Sequence, residues 1–281
     1  MNKPFFSVII PTYNRENLLP IAIDSVLRQS FYDYELIIVD DGSTDNTKEK
    51  LANFLSKEKI KYLYQPHGGV SKARNKGIKN SQGKYIAFLD SDDRFCQEKL
   101  AITHSYIQRY PDYKIFHTEE IWYRRSELLE QKLYHKKPHG QVFEKAIKSC
   151  CISISTAVIK KDVFKEVGSF DERLLACEDY DFWLRISSKF LVYLIPLYLT
   201  IKEGGNPDQQ SKRYQAMDRY RIYAINKLLK TKELKEEYRL LAYEELAKKC
   251  LIYIKGALKR NKIKDAQYYQ NLINYWSKER N

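Results

Sequence analysis

Residues 84–93 read KYIAFLDSDD, an apolar run from Tyr85 to Leu89 that ends in three carboxylates within four positions. A run this apolar is the mark of a strand buried on both faces, as in a parallel sheet covered by helices. Carboxylates crowded at the open end of such a strand repel one another and need compensation. A divalent cation supplies it and keeps coordination positions free for a substrate diphosphate. The plainer alternative is an acidic turn that caps the next helix.

The same pattern repeats upstream. Strand-like runs at Phe6 to Pro11, Tyr34 to Asp40 and Ile60 to Gln65 alternate with helical patterns at Leu18 to Gln29, Thr44 to Leu55 and Gly69 to Asn80. This βαβαβ rhythm implies a parallel sheet flanked by helices. Ligands bind beyond the carboxyl ends of strands in such sheets, so Pro11 to Asn14, Asp40 to Asp45 and Asp90 to Asp93 are expected to converge on one cleft. In the second of these segments a carboxylate can accept from the imide N–H of a uracil or from ribose hydroxyls, while Ser43 or Thr44 caps the helix that follows. No Gly-x-Gly-x-x-Gly and no Walker lysine is present, so the ordinary dinucleotide and ATP-hydrolase readings lose support.

Downstream, strands are expected at Lys114 to Tyr123 and Ser153 to Ile159, around a basic polar stretch from Arg124 to His139. A short helix at Lys161 to Val167 and a longer one at Asp179 to Phe190 follow, the latter introduced by acids that suit a helix N-terminus. From Tyr214 to Trp276 the pattern is helical, with breaks near Thr231 and Asn261.

A chain of 281 residues, 43% hydrophobic and 14% aromatic, suffices for one sizeable α/β domain, 1–211, and a smaller helical extension, 212–281. The extension holds 18 Lys and Arg against 8 Asp and Glu, most of the net +13 of the chain. Such a basic element can face anionic lipid or a polyanionic acceptor, or be an ordinary solvated helical surface. The N-terminus lacks a signal-peptide pattern, and the longest apolar run, Phe190 to Ile201, contains Pro196 and falls short of the roughly 20 residues of a membrane span. Five cysteines without paired spacing indicate neither a disulfide framework nor a zinc site. A cytoplasmic location is expected, with peripheral contact at the inner face of the membrane.

Five segments together are more specific: SVIIPTYNR at 7–15, ELIIVDDGSTDNT at 35–47, GGVSKARNKGI at 68–78, KYIAFLDSDD at 84–93 and GSFDERLLACEDYDFWLRIS at 168–187. In order and spacing this set resembles family-two glycosyltransferases of the GT-A fold, across residues 5–205. The resemblance implies a mostly parallel central sheet flanked by helices, with a helical C-terminal extension. It implies an inverting enzyme that moves a sugar from a nucleotide-sugar donor, UDP-linked, to a hydroxyl of a carbohydrate or glycolipid acceptor in cell-surface polysaccharide or glycoconjugate synthesis, using Mn²⁺ or Mg²⁺.

Position by position, Pro11, Thr12 and Tyr13 resemble the segment that packs on the base, and Asp41, with Asp40 beside it, the carboxylate that binds it. Arg74 and Ser91 resemble residues near the nucleotide. Asp90 and Asp92 are similar to the DxD pair, with Asp92 the direct metal ligand. Asp179 resembles the general base, and Glu178 is its neighbouring rival. Trp183 reads as core or as a sugar platform. Related sequences often place a histidine after a late Gly-Gly pair to complete the metal shell, whereas this chain has Asn206 after Gly204-Gly205. His135, Lys136 and Lys137 can contact an anionic donor or acceptor. Two other readings are a nucleotidyltransferase, whose Gly-rich basic signature Ile10 to Arg15 lacks, and a basic binding module for membrane or nucleic acid. The second rests on the tail charge alone, and nucleic acid is not expected as a partner.

Overall fold

The computed structural model describes residues 3–124, 127–130, 136–204 and 217–279. Strand β1 (Phe6–Thr12) lies between β2 (Tyr34–Asp40) and β4 (Tyr85–Phe88), parallel to both, and β3 (Ile60–Tyr64) extends the parallel array beyond β2. Helices α1 (Leu19–Leu27), α2 (Thr47–Leu55) and α3 (Val70–Asn80) make the crossovers. The register sets Thr12 opposite Asp40, so these strands end level and their next residues share one rim.

Beyond β4 the sheet becomes mixed. β8 (Val158–Lys160) runs antiparallel to β4 and to β6 (Ile115–Arg124), and β6 pairs in parallel with β9 (Tyr193–Gly204). The short β5 (Arg94–Phe95) closes the order against β9, and β7 (Glu127–Leu129) folds back on β6. The expected strand at Ser153 to Ile159 is shorter, because Ile154–Thr156 forms a 3₁₀ turn before β8 begins. The apolar run read only as too short for a span is the body of β9. Helices α4 (Lys99–Arg109) and α5 (Phe143–Lys148) add to those expected, followed by α6 (Val163–Val167) and α7 (Glu178–Ser187).

The period-two alternation of strand side chains divides the core. Val8, Ile10, Leu36 and Ile38 pack with Leu19, Ile23 and Val26 of α1 and Leu100 of α4. Their alternates Ile9, Ile37 and Val39 pack with Ala73 and Ile78 of α3 and with Phe182 and Ile186 of α7. Trp183 belongs to that second cluster at 1% exposure, so it is a core residue and not a sugar platform.

The C-terminal segment forms α8 (Asp218–Leu229), α9 (Glu236–Lys259) and α10 (Ile263–Glu279), with breaks where Thr231 and Asn261 suggested them. Leu228, Leu246 and Trp276 pack with Phe143 and Ile147 of α5 and Tyr180 and Leu184 of α7. Lys227 adds ion pairs to Asp171 and Asp181 at 2.8 and 2.5 Å. Among the described residues, no helix is long and apolar enough to cross a membrane.

Candidate active site

The rim of the parallel strands is tied together by its own polar residues. The Asp41 N–H donates to the Thr12 carbonyl at 2.9 Å, the Asn14 N–H to Ser43 Oγ at 2.9 Å, and the Thr44 N–H to Asn14 Oδ1 at 2.7 Å. Ser43 and Thr44 therefore latch the first loop and do not cap α2. The N-cap position is Asn46, without a side-chain cap bond, and Asp45 just before it accepts the N–H and hydroxyl of Thr47 at 3.0 and 2.5 Å. Pro11 and Thr12 are buried within this rim, and Tyr13 is partly open above it.

The two carboxylates after β2 differ in use. Asp40 is 1% exposed and accepts from the Ser43 N–H at 2.8 Å and the Tyr62 hydroxyl at 2.7 Å, so it holds the turn. Burial, reinforced by Asp40, raises the Tyr62 phenol and keeps it a donor. Asp41 points to the start of α3, where the N–H groups of Gly68 and Gly69 donate to it at 3.0 and 2.8 Å. An anion at a helix start suits the unpaired N–H groups there.

Arg74 is the centre of the site. Its guanidinium, 4% exposed, donates to Asp90 Oδ1 and to Glu178 Oε1, both at 2.7 Å. Burial opposes its charge, but Asp90 and Glu178 outweigh that and raise its pKa. One cation thereby links the carboxylate loop after β4 to the start of α7, with Glu178 lying 104 residues from Arg74 in the chain. Arg74, expected from the sequence to lie near the nucleotide, is bonded to both carboxylates and positions them.

The four-residue loop contains three different environments. Burial would raise the Asp90 carboxyl, but Arg74 and then Lys202 hold it below the usual range. Asp93 is 2% exposed, bound to Lys202 at 2.9 Å and to the Ser155 hydroxyl at 2.6 Å. Its carboxyl is pushed up to about 7 by burial, against the pull of Lys202. Asp92 is left uncompensated: burial and then the Asp90 charge raise it, and Lys202 and Arg15 offset this only in part. Ser91 is 8% exposed between the pair.

This is the donor set a hard divalent cation fits, carboxylate oxygens with net negative charge and too few protein partners. Among the described residues, no group of three or more His, Cys, Asp and Glu side chains closes into a full cage. Asp90 and Asp92 would hold the ion from one side, with water and diphosphate oxygens on the other. Asn206 and His135 lie outside the described residues. Lys137 is not available to an anionic ligand as expected, because it is buried in a 2.9 Å ion pair with Glu120.

Glu178 and Asp179 separate cleanly. Cys177, at φ 60, turns the chain through the left-handed region just before α7. Glu178 is 4% exposed and spent on Arg74. Asp179 is more open; the Tyr180 N–H donates to its Oδ1 at 2.7 Å and the Cys150 thiol to its Oδ2 at 3.2 Å. Desolvation and then Asp179 push the Cys150 thiol up, so it remains a donor. Sequence reading missed Lys202, Ser155 and Cys150. Each is a single residue brought in from another element with no local motif around it.

Comparison with known proteins identifies the family and the fold. Residues 7–168 match the sequence profile of Glycosyl transferase family 2. An uncharacterised glycosyltransferase of Rickettsia typhi is 34% identical over 231 residues, covering 76% of this chain and 70% of its own length. UDP-Glc:alpha-D-GlcNAc-diphosphoundecaprenol beta-1,3-glucosyltransferase WfgD of Escherichia coli is 32% identical over 193 residues, 66% of this chain and 71% of that protein. A Rickettsia conorii relative is 38% identical over 67% of this chain, which spans only 31% of its length.

Two solved structures share the fold. S. aureus TarS 1–349 in complex with UDP-GlcNAc matches with a TM-score of 0.71 at 21% identity, over 86% of this chain and 70% of that one. The mannosyltransferase PcManGT from Pyrobaculum calidifontis, in complex with GDP-Man and Mn²⁺, matches with a TM-score of 0.66 at 14% identity, over 99% and 85%. The parallel rim with its carboxylate loop, the profile match across 7–168 and the relatives above place the chain in glycosyl transferase family 2, with the GT-A fold.

Proposed function

We propose that this protein transfers a sugar from a UDP-linked donor to an acceptor hydroxyl, with inversion, with Asp179 as general base and a divalent cation at Asp90 and Asp92. The observation that carries this reading is the Arg74 clamp. By bonding Asp90 and Glu178 at once it ties the carboxylate loop to the start of α7, one residue before Asp179, which supports a cleft shared by the proton acceptor and the diphosphate end of a donor. A sugar hydroxyl is a weak nucleophile until a base takes its proton as the new bond forms. Asp179 does this with Oδ2, which also accepts from the Cys150 thiol, while the Tyr180 N–H holds Oδ1. The hydroxyl oxygen bonds to the anomeric carbon, the bond to the diphosphate oxygen breaks on the opposite face, and UDP leaves. Mn²⁺ or Mg²⁺, when bound, stabilises the negative charge on the departing diphosphate.

The base is assigned to Tyr13 and Asp41 on the same rim. The names of WfgD and of TarS with UDP-GlcNAc support a uridine donor, and WfgD, whose name specifies a sugar linked to diphosphoundecaprenol, supports a lipid-linked saccharide as acceptor. Leu251, Ile252, Leu258 and Ile263 are exposed on α9 and α10 among lysines, which supports peripheral contact with anionic lipid. Flotation with and without acidic phospholipid tests that contact, and equal flotation on neutral vesicles would remove it.

Asp179→Asn tests the central claim. Transfer to acceptor should fall by roughly two to four orders of magnitude while UDP affinity in Mg²⁺ stays near native. Glu178→Gln, measured alongside, should loosen the clamp and lower stability. Near-native turnover in Asp179→Asn would refute the base assignment. UDP affinity that is unchanged by EDTA or by Asp92→Ala would refute the metal role.

A further inference from the structure

A flat ring already lies where the base is assigned. The His67 imidazole stacks on Tyr13 with centroids 4.1 Å apart and planes 25° from parallel. Its Nδ1 is 2.9 Å from Asp41 Oδ2 and 3.1 Å from the Asp41 carbonyl oxygen. Both neighbours are acceptors, so this nitrogen carries hydrogen. An N–H directed at Asp41 from a ring lying on Tyr13 reproduces the two contacts a uracil would make there.

A base stacked on the same face of Tyr13 would collide with the His67 ring. Asp41 Oδ1 accepts from Gln65 Nε2 at 2.6 Å and from the Gly68 N–H at 3.0 Å; its Oδ2 accepts from the Gly69 N–H at 2.8 Å and lies 2.9 Å from His67 Nδ1, whose hydrogen bond goes to the Asp41 carbonyl. Three donors occupy the carboxylate, and the His67 ring crowds the lone-pair site that remains of about four. Gly68 and Gly69 donate from the backbone entering α3, and Gln65 is 5% exposed. The His67 side chain, 47% exposed, is the neighbour of Asp41 with room to leave. Its backbone is packed: a Cβ at Gly42 would lie 2.7 Å from the His67 nitrogen. Departure therefore means rotation of the side chain.

We infer that His67 holds the base position in the nucleotide-free enzyme and swings out as the nucleotide enters, so that its displacement sets the apparent donor affinity. The inference rests on the assignment of the base to Tyr13 and Asp41. Only the fraction of molecules with the ring displaced is competent to bind, and apparent affinity is reduced by that fraction. The reduction is common to every base, because the ring must leave before any base is read.

Calorimetric titration of UDP and CDP into the native protein, His67→Ala, His67→Phe and Asp41→Asn, all in Mg²⁺, tests this. His67→Ala should bind UDP and CDP more tightly by roughly the same factor, three- to tenfold if the ring fills the site in most free molecules. His67→Phe, which keeps the ring without its N–H, should fall between. In the native protein the His67 ring protons should be shifted upfield by Tyr13 and move to the position of a solvated imidazole on saturation with UDP. Weaker binding in His67→Ala would make the ring a wall of the pocket, and unchanged binding a bystander; either overturns the displacement. Failure of Asp41→Asn to alter UDP affinity would overturn the base assignment itself, whereas weakened binding there with no gain in His67→Ala overturns the displacement alone.

Discussion

Arg74→Met preserves side-chain length and removes the cation that two carboxylates share. In the folded protein the Arg74 side chain is 4% exposed and 2.7 Å from each partner; the side chains of Glu178 and Asp90 are 6% and 28% exposed. Deleting one member of a buried pair typically costs about 3–5 kcal/mol, because the remaining charge is left without compensation. Glu178 should carry most of that cost, since Asp90 is partly open and also feels Lys202. The expected loss is about 4 kcal/mol in metal-free buffer at pH 7, a large fraction of the roughly 5–15 kcal/mol that keeps a domain folded.

The sign of the pH dependence follows. Without Arg74, Asp90 and Glu178 bind protons more readily in the folded state than in the unfolded one, so the deficit should narrow as pH falls from 7 to 5. Added Mg²⁺ should narrow it as well, because an ion at the proposed Asp90 and Asp92 site would bind the folded state alone and supply part of the lost compensation. Arg74→Lys retains charge but cannot fork to both partners and should recover only part of the loss. Urea denaturation followed by circular dichroism, in EDTA and in Mg²⁺ at pH 5, 6 and 7, measures all of this. A deficit below about 1 kcal/mol, or one unaffected by pH and metal, would refute the clamp.

Lys99 is fully buried, donating to Thr118, Thr200 and the Thr156 carbonyl, and burial followed by the charge of Lys137 lowers its pKa to about 7 from 10.5. The unfolded chain then binds more protons than the folded one between pH 7 and 10.5, so this residue makes stability rise with pH there, by about 1.4 kcal/mol per unit. Urea melts at pH 7, 8 and 9 should show a steeper rise for the native protein than for Lys99→Met, and equal slopes would refute the assignment. Gly77 lies in α3, where alanine would ordinarily add about 1 kcal/mol of helix stability. A Cβ there would lie 2.5 Å from Ile9 Cγ2, so Gly77→Ala should instead lose about 1–2 kcal/mol in thermal or urea melts. A more stable variant would show that β1 and α3 can separate freely.

The first half of the fold was legible in the chain because its signals are local. A strand buried on both faces has to be apolar, the polar residues after it have to stand at its open end, and the crossover helices have to alternate with it. Residues 6–12, 34–40 and 85–88 behave accordingly. The acidic loop at 90–93 and the pair at 178–179 were likewise visible, since each is a cluster within four residues.

Which carboxylate does what was decided by tertiary structure. Asp40 and Asp41 are adjacent and chemically identical, and only the positions of Tyr62 and of Gly68 and Gly69 set one to brace the turn and the other to face the rim. Asp92 and Asp93 differ because Lys202, brought across the sheet from β9, reaches the second at ion-pair distance. Glu178 and Asp179 differ because Arg74 takes the first. The charge state and partner of a buried acid depend on what stands within a few ångströms, and those neighbours come from 16 to 109 residues away in the chain. A linear pattern can therefore show where acids gather, while the packing of β9, α3 and α7 decides which of them is left to act.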